Sequence, residues 1–350
     1  MGALAFLTSA LFWPGVAGAA TVPRWAVIAL VVPVLLKDQR LTAAHAAGAL
    51  FLIWAALSMA WNPATLDGIG ALLVLAMLAA CFCLGNQLID LRKVYIGAAL
   101  GVTVSSVVAI FQWFGFHQVA SWGGPGGLFV NGAFMAETAA LVLVVLVSER
   151  LWWLIPGVLP ALLLPDARDA VLAVATATVV ALRRSRFIWL LVAVVPIAAY
   201  FYVTAKGYGS INERLEIWHS TLDGVTLFGH GIGSFWSLYP AYDLRPVAPI
   251  ALLNTPEYAH NEFLTVAFEL GIIGLLLFCG LCVTLAGPLD TARLVLIALF
   301  VESCFDFPLH LPATAFLGMV VAGHAVRNRY LLWDRLNQFR GIGKARVAGP

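Results

Sequence analysis

The stretch His260-Asn261-Glu262-Phe263-Leu264-Thr265-Val266-Ala267-Phe268-Glu269-Leu270-Gly271 decides how the chain folds. It opens an apolar run over roughly 261–283, long enough for a helix of ~20 residues to cross a bilayer. The run puts an imidazole at the mouth of the span and a carboxylate, Glu269, about two and a half turns inside it. A carboxylate at membrane depth is costly and is a functional-site candidate by default.

The chain around this stretch is 62% hydrophobic and 11% charged, and apolar runs recur along nearly its whole length. The expected fold is therefore all-α, a polytopic helical membrane bundle. Spans are predicted over roughly 3–20, 22–36, 41–60, 68–85, 94–115, 131–147, 151–164, 170–182, 187–204, 261–283, 294–305 and 311–326, about twelve transmembrane helices. This divides the chain into helices 1–9 over residues 1–204, an extracytoplasmic loop over 205–260, helices 10–12 over 261–326 and a basic cytoplasmic tail over 327–350.

With the N-terminus in the cytoplasm, 15 of the 20 Lys and Arg residues fall inside, as the positive-inside rule asks. The five left outside are Arg24, Arg168, Lys206, Arg214 and Arg245. Arg24, Lys206 and Arg245 read as solvated or interfacial cations; Arg168 and Arg214 are candidates for a site. The first span ends in Ala17-Gly18-Ala19-Ala20 but lacks a charged leader, so it reads as a retained helix. All five cysteines fall in predicted spans, and the Cys279/Cys282 pair has no second pair beside it, so neither a disulfide nor a metal site is expected.

The outer loop is not a polar linker. Ser210 to Val225 reads as an amphipathic helix, with Ser210 as N-cap and Glu213 completing a capping-box pattern. Arg214, Trp218 and Thr221 share one face, and Ile211, Leu215 and Leu222 are expected to bury the helix. Gly229, Gly231 and Gly233 then alternate in Gly229-His230-Gly231-Ile232-Gly233-Ser234-Phe235. The spacing is wrong for a dinucleotide loop; tight turning and close backbone approach, or a ligand-facing role, are the two readings left.

Four segments, in order, resemble the signatures of the bacterial O-antigen ligase and O-antigen polymerase superfamily of polytopic glycosyltransferases. Gly127-Leu128-Phe129-Val130-Asn131 with Ala136 is similar to its opening of a central helix, though Gly132-Ala133 stands where Pro-Asn is often found. Asp166-Ala167-Arg168-Asp169-Ala170-Val171-Leu172 is similar to the S-R-x-x-x-L opening, with Ala167 in place of serine. Arg214 through Trp218, continuing to Gly229–Phe235, resembles the R-x-x-x-W and glycine loop. His260-Asn261-Glu262-Phe263-Leu264 with Glu269-Leu270-Gly271 and Gly274 resembles the H-N-x-x-L and E-x-G-x-x-G helix.

The resemblance implies transfer of a glycan from a polyprenyl diphosphate-linked donor to an acceptor hydroxyl, on a glycan or a lipid A-core, at the periplasmic face of the cell inner membrane. His260, Arg214 and Arg168 are then the expected catalytic residues, and Asn131, Trp218, Gly231, Gly233, Asn261 and Glu269 the expected substrate-binding ones. Forked arginines suit a diphosphate. An imidazole, with an ordinary pKa near ~6.5, suits the orientation or deprotonation of a hydroxyl at neutral pH. Polyprenyl diphosphate leaves readily, so neither a metal nor a cofactor is expected.

On a straight helix Glu269 lies about 180° around from His260, so it reads as an internal carboxylate hydrogen-bonded between helices rather than a base. Glu302, Asp306 and His310 are weaker candidates for the same cavity. The alternative function is a transporter or flippase for a lipid-linked or anionic glycan, against which the lack of repeat symmetry counts. The tail is expected to lie on anionic membrane lipids, with no nucleic-acid signature.

Overall fold

The computed structural model describes residues 1–14, 18–37, 41–116, 119–121, 124–183, 185, 209–243 and 255–347, with side chains as far as 330. The predicted span 187–204, together with Lys206 and Arg245, lies outside the described residues. The described residues form thirteen α-helices and no β-strand. In chain order these are α1 Gly2–Ala10, α2 Thr21–Leu35, α3 Ala43–Ser58, α4 Thr65–Gln87, α5 Arg92–Trp113, α6 Gly132–Ser148, α7 Ile155–Leu163, α8 Arg168–Ala181, α9 Gly209–Asp223, α10 Phe235–Leu238, α11 Glu262–Thr284, α12 Thr291–Phe305 and α13 Pro312–Val347.

By length and composition α4, α5 and α11 can each cross a membrane, and α2, α3 and α6 are shorter apolar helices, as is the stretch Trp152–Leu163 that ends in α7. Large apolar side chains such as Leu30, Val34, Leu73, Leu276 and Val283 stand exposed, as a lipid-facing surface requires. The helices begin where short polar side chains accept from the first free amides. Asn131 accepts from Ala133 N at 2.8 Å, Asn261 from Leu264 N at 3.0 Å and Asp290 from Arg293 N at 2.9 Å.

At the centre lies α6, packed by α5, α7, α8, α12 and α13 and buried nearly all round from Met135 to Leu146. Small residues let the outer pairs approach closely: Gly85 and Gly323 where α4 meets α13, Gly97 and Gly101 where α5 meets α1.

Three expectations are corrected here. The first helix stops at Ala10, well short of residue 20, with Leu11 already extended and Pro14 following; proline has no amide to continue the ladder. The last helix does not end near 326 but runs on to Val347, with no proline between Ala313 and Val347 to break it.

Arg24 is not a solvated cation. Its side chain is buried, with Nε donating to Leu11 O at 3.0 Å and Nη2 to Leu128 O at 2.9 Å, and its guanidinium lies 3.9 Å from the Phe129 ring centre. A buried guanidinium needs such acceptors. Here they tie the end of α1 to the segment that opens the central helix.

Candidate active site

The site is assembled at one end of the bundle from the starts of α6, α8 and α11, from α9, and from the turn Asp306-Phe307-Pro308-Leu309-His310 between α12 and α13. The segment Gly127-Leu128-Phe129 is a 3-10 turn held by α5: Gly127 N donates to Gln112 Oε1 and Leu128 N to Ser105 Oγ, each at 2.8 Å. Val130 and His260 immediately precede the capping residues Asn131 and Asn261, and both are left-handed, with φ of 68° and 49°. A β-branched residue there is strained.

The His260 imidazole meets a carboxylate. His260 Nδ1 lies 3.0 Å from Asp306 Oδ1, and Arg214 Nη2 lies 3.2 Å from Asp306 Oδ2. Asp306 is buried, while the His260 and Arg214 side chains keep 32% and 24% of their exposure, so both remain open to a ligand. Phe307 N adds a third donor to Asp306, at 3.0 Å. Asn261 Nδ2 ties the start of α11 to Cys304 O at 2.8 Å.

Helix α9 is oriented by Trp218, whose indole Nε1 donates to Ala259 O at 3.0 Å, so Arg214 and Trp218 do share the face that looks at the site. The rest of that helix differs from expectation. It begins at Gly209, one residue before Ser210, and Leu215 and Leu222 are exposed. Ile217 is the residue that buries it, against Phe235, Tyr239, Ala259 and Phe268. With 3.6 residues per turn Ile217 lies about a fifth of a turn from the middle of the Arg214–Trp218–Thr221 face, so adjoining sides of the helix serve the apolar contact and the arginine.

Glu269 and the glycines find one another. Helix α11 is kinked at Gly271, which has φ of 71°, a conformation glycine reaches without a Cβ penalty. The loop fills the break: Ile272 N donates to Thr226 O at 3.1 Å, Ile273 N to Leu227 O at 3.3 Å and Gly231 N to Glu269 O at 2.7 Å. The Glu269 carboxylate then accepts from Gly233 N at 2.8 Å and Phe235 N at 3.1 Å. The amides of Gly231 and Gly233 are thus engaged by α11, and a Cβ at Gly231 or Gly233 would run into Asn62 or Asp67. This geometry is that of a positioning turn.

Glu269→Ala strips the acceptor from two buried amides, at about 1–3 kcal/mol for each orphaned donor. Thermal unfolding in detergent should show a clear loss, with Glu269→Gln between alanine and wild type. An unchanged midpoint in the alanine variant would refute the anchoring role.

A second histidine–carboxylate pair lies beside the first. His310 Nδ1 is 3.3 Å from Glu262 Oε2, Leu309 N donates to Glu262 Oε1 at 2.8 Å, and the Tyr258 ring lies 4.0 Å from that of His310. Burial opposes the His310 charge, but Glu262, with Glu269 and Glu257, outweighs it and holds the imidazolium above its ordinary range. Burial, then the same carboxylates, pushes the Tyr258 phenol up, so it stays neutral.

Arg168, half-buried, begins α8. Its neighbour Asp169 turns inward, where one of its oxygens, one of Glu137 and one of Asp306 lie within 4.8 Å of one another. Glu137 escaped notice in the sequence although the signal was there: an ionisable residue inside the apolar run 131–147.

Residues 129–279 match the family described as O-antigen ligase. Over that stretch the chain is similar to the O-antigen ligase family. The match supports membership in the O-antigen ligase and polymerase family, and with it a membrane-integral, glycosyltransferase type of activity in general terms. No curated protein matches the chain. The matched stretch contains all nine site residues expected from sequence, from Asn131 to Glu269; Asp306, which joins two of them, lies beyond it.

Proposed function

We propose that this protein transfers an oligo- or polysaccharide from a polyprenyl diphosphate carrier to an acceptor hydroxyl at the outer face of the cell inner membrane, as an O-antigen ligase or polysaccharide polymerase. The observation that carries this reading is the Asp306 bridge, which sets the His260 imidazole beside the Arg214 guanidinium while both keep an open side. Asp306 accepts the Nδ1 proton of His260, so Nε2 of the neutral ring is bare and faces outward as the base; the tautomer is assigned from this partner.

The acceptor hydroxyl, on a glycan or lipid A-core, gives its proton to Nε2 as its oxygen bonds to the anomeric carbon. The bond from that carbon to the diphosphate oxygen breaks, and the electron pair stays on the diphosphate. Arg214 and Arg168 receive that charge. Diphosphate is a good leaving group, so the step requires no metal ion.

Purified protein in liposomes, given lipid-linked glycan and a candidate acceptor, should produce a transferred product visible as a gel-mobility shift. Movement of donor across the bilayer with no transfer to a verified acceptor would replace this reading with a transporter.

The same reading places residues 205–260 outside and both termini in the cytoplasm. Cysteines at the exposed positions Ser210 and Ser237 should react with a membrane-impermeant thiol reagent in cells permeabilised only at the outer membrane. Labelling that appears only after inner-membrane lysis would reverse the orientation.

A further inference from the structure

Behind the Asp306 bridge, carboxyl groups converge from three helices: Glu137 from α6, Asp169 from α8, and Glu302 from α12, with Asp306 itself just past the end of α12. One oxygen each of Glu137, Asp169 and Asp306 lie within 4.8 Å of one another, and Glu302, four residues before Asp306, and Arg214 are near enough to act on this group electrostatically. All four carboxyl groups are buried.

They are served very differently. Asp306 receives three donors, from Arg214, His260 and Phe307 N. Among the described residues, both oxygens of Glu137, both of Glu302 and Oδ2 of Asp169 have no hydrogen-bond partner. Arg214, whose charge acts on Glu137 and Asp169, is already bonded to Asp306. A buried ionised carboxylate without donors or counter-charge is unfavourable, the more so at membrane depth, and like charges this close do not all ionise. A protonated carboxyl, by contrast, brings its own donor to a group of acceptors.

We infer that Glu137, Asp169 and Glu302 are held as uncharged carboxylic acids that pair with one another, positioning residues that leave Asp306 the one anion of the cluster. This rests on the proposed reading in one respect, that Arg214 and His260 act on the substrate. Four ionised carboxylates would compete for Arg214 and draw it inward, away from the donor diphosphate. Three neutral ones leave Asp306 to align His260 through Nδ1 and leave the outer edge of Arg214 free.

The test is infrared spectroscopy of the full-length protein in liposomes at neutral pH. The wild type should show the carbonyl stretch of protonated carboxylic acids, and Glu137→Gln, Asp169→Asn and Glu302→Gln should each remove part of it. Mg²⁺, Mn²⁺ or Ca²⁺ should leave the thermal midpoint of the wild type where it was. In the transfer assay, Glu302→Gln should recover most of what Glu302→Ala loses, and the triple amide variant should move the alkaline limb of the pH profile upward.

Absence of the protonated band in the wild type would overturn the inference. So would a rise in midpoint with a divalent ion that Glu137→Gln abolishes, since the cluster would then be a cation site. An alkaline limb unmoved by the amides would overturn the positioning role. The spectrum and the thermal measurement need no substrate, so a protein that shows the band and transfers nothing counts against the proposed function and not against the cluster.

Discussion

Replacing His260 by alanine should abolish glycan transfer, with a rate loss of ~10²–10⁴-fold, the usual effect of removing a positioned acid or base. Lipid-linked donor should still bind, because Arg214 and Arg168 remain. The size of the effect rests on placement as much as on basicity. Asp306 Oδ1, 3.0 Å from Nδ1, fixes the ring and its tautomer, and the Phe307 ring, 5.2 Å away, limits its rotation. Asp306→Asn should therefore reproduce a good part of the loss without touching the base. Single-turnover transfer by purified protein measures both, and undiminished transfer by His260→Ala would remove the imidazole from the mechanism.

The second large effect is expected at Arg214. Its removal takes away charge-assisted contacts to the donor diphosphate worth ~1.5–3 kcal/mol, a loss of roughly 10–150-fold in transfer. It also leaves Asp306 buried without its guanidinium, which adds a stability cost that thermal unfolding should register. Arg168→Ala should lose most activity as well. Lysine at either position should recover only part, since an ammonium does not reproduce the fork. Full activity in both lysine variants would mean that positive charge alone suffices and that forked recognition is wrong.

The helices were legible because the signals are local. Apolar runs bounded by polar turns placed eleven of the twelve predicted spans on helices of the described structure, since a helix in a membrane satisfies its own backbone and needs no distant partner. The shared face of Arg214 and Trp218 follows from helical spacing alone, and the structure turns that face toward the site. The separation of Glu269 from His260 was likewise legible, as a matter of helical phase.

What Glu269 holds was not legible. A straight helix offers the two loop amides no route to it; the break at Gly271, with its left-handed φ of 71°, lets residues 226–235 fold in against α11. Nor was the burial of Arg24, whose acceptors, Leu11 O and Leu128 O, lie 13 and 104 residues away. The depth of a cation is set by what packs over it.

By itself, the sequence determined an all-helical membrane chain, the candidate base and arginines, and the order of the segments that carry them, because periodicity, capping and residue chemistry are written over a few turns. Only the tertiary structure decided that Asp306, 46 residues from His260 and 92 from Arg214, joins the two, and that Glu137, Asp169 and Glu302 gather behind it. Those contacts exist because separate helices pack around α6, and no local pattern along the chain records which of their buried carboxyl groups will face one another.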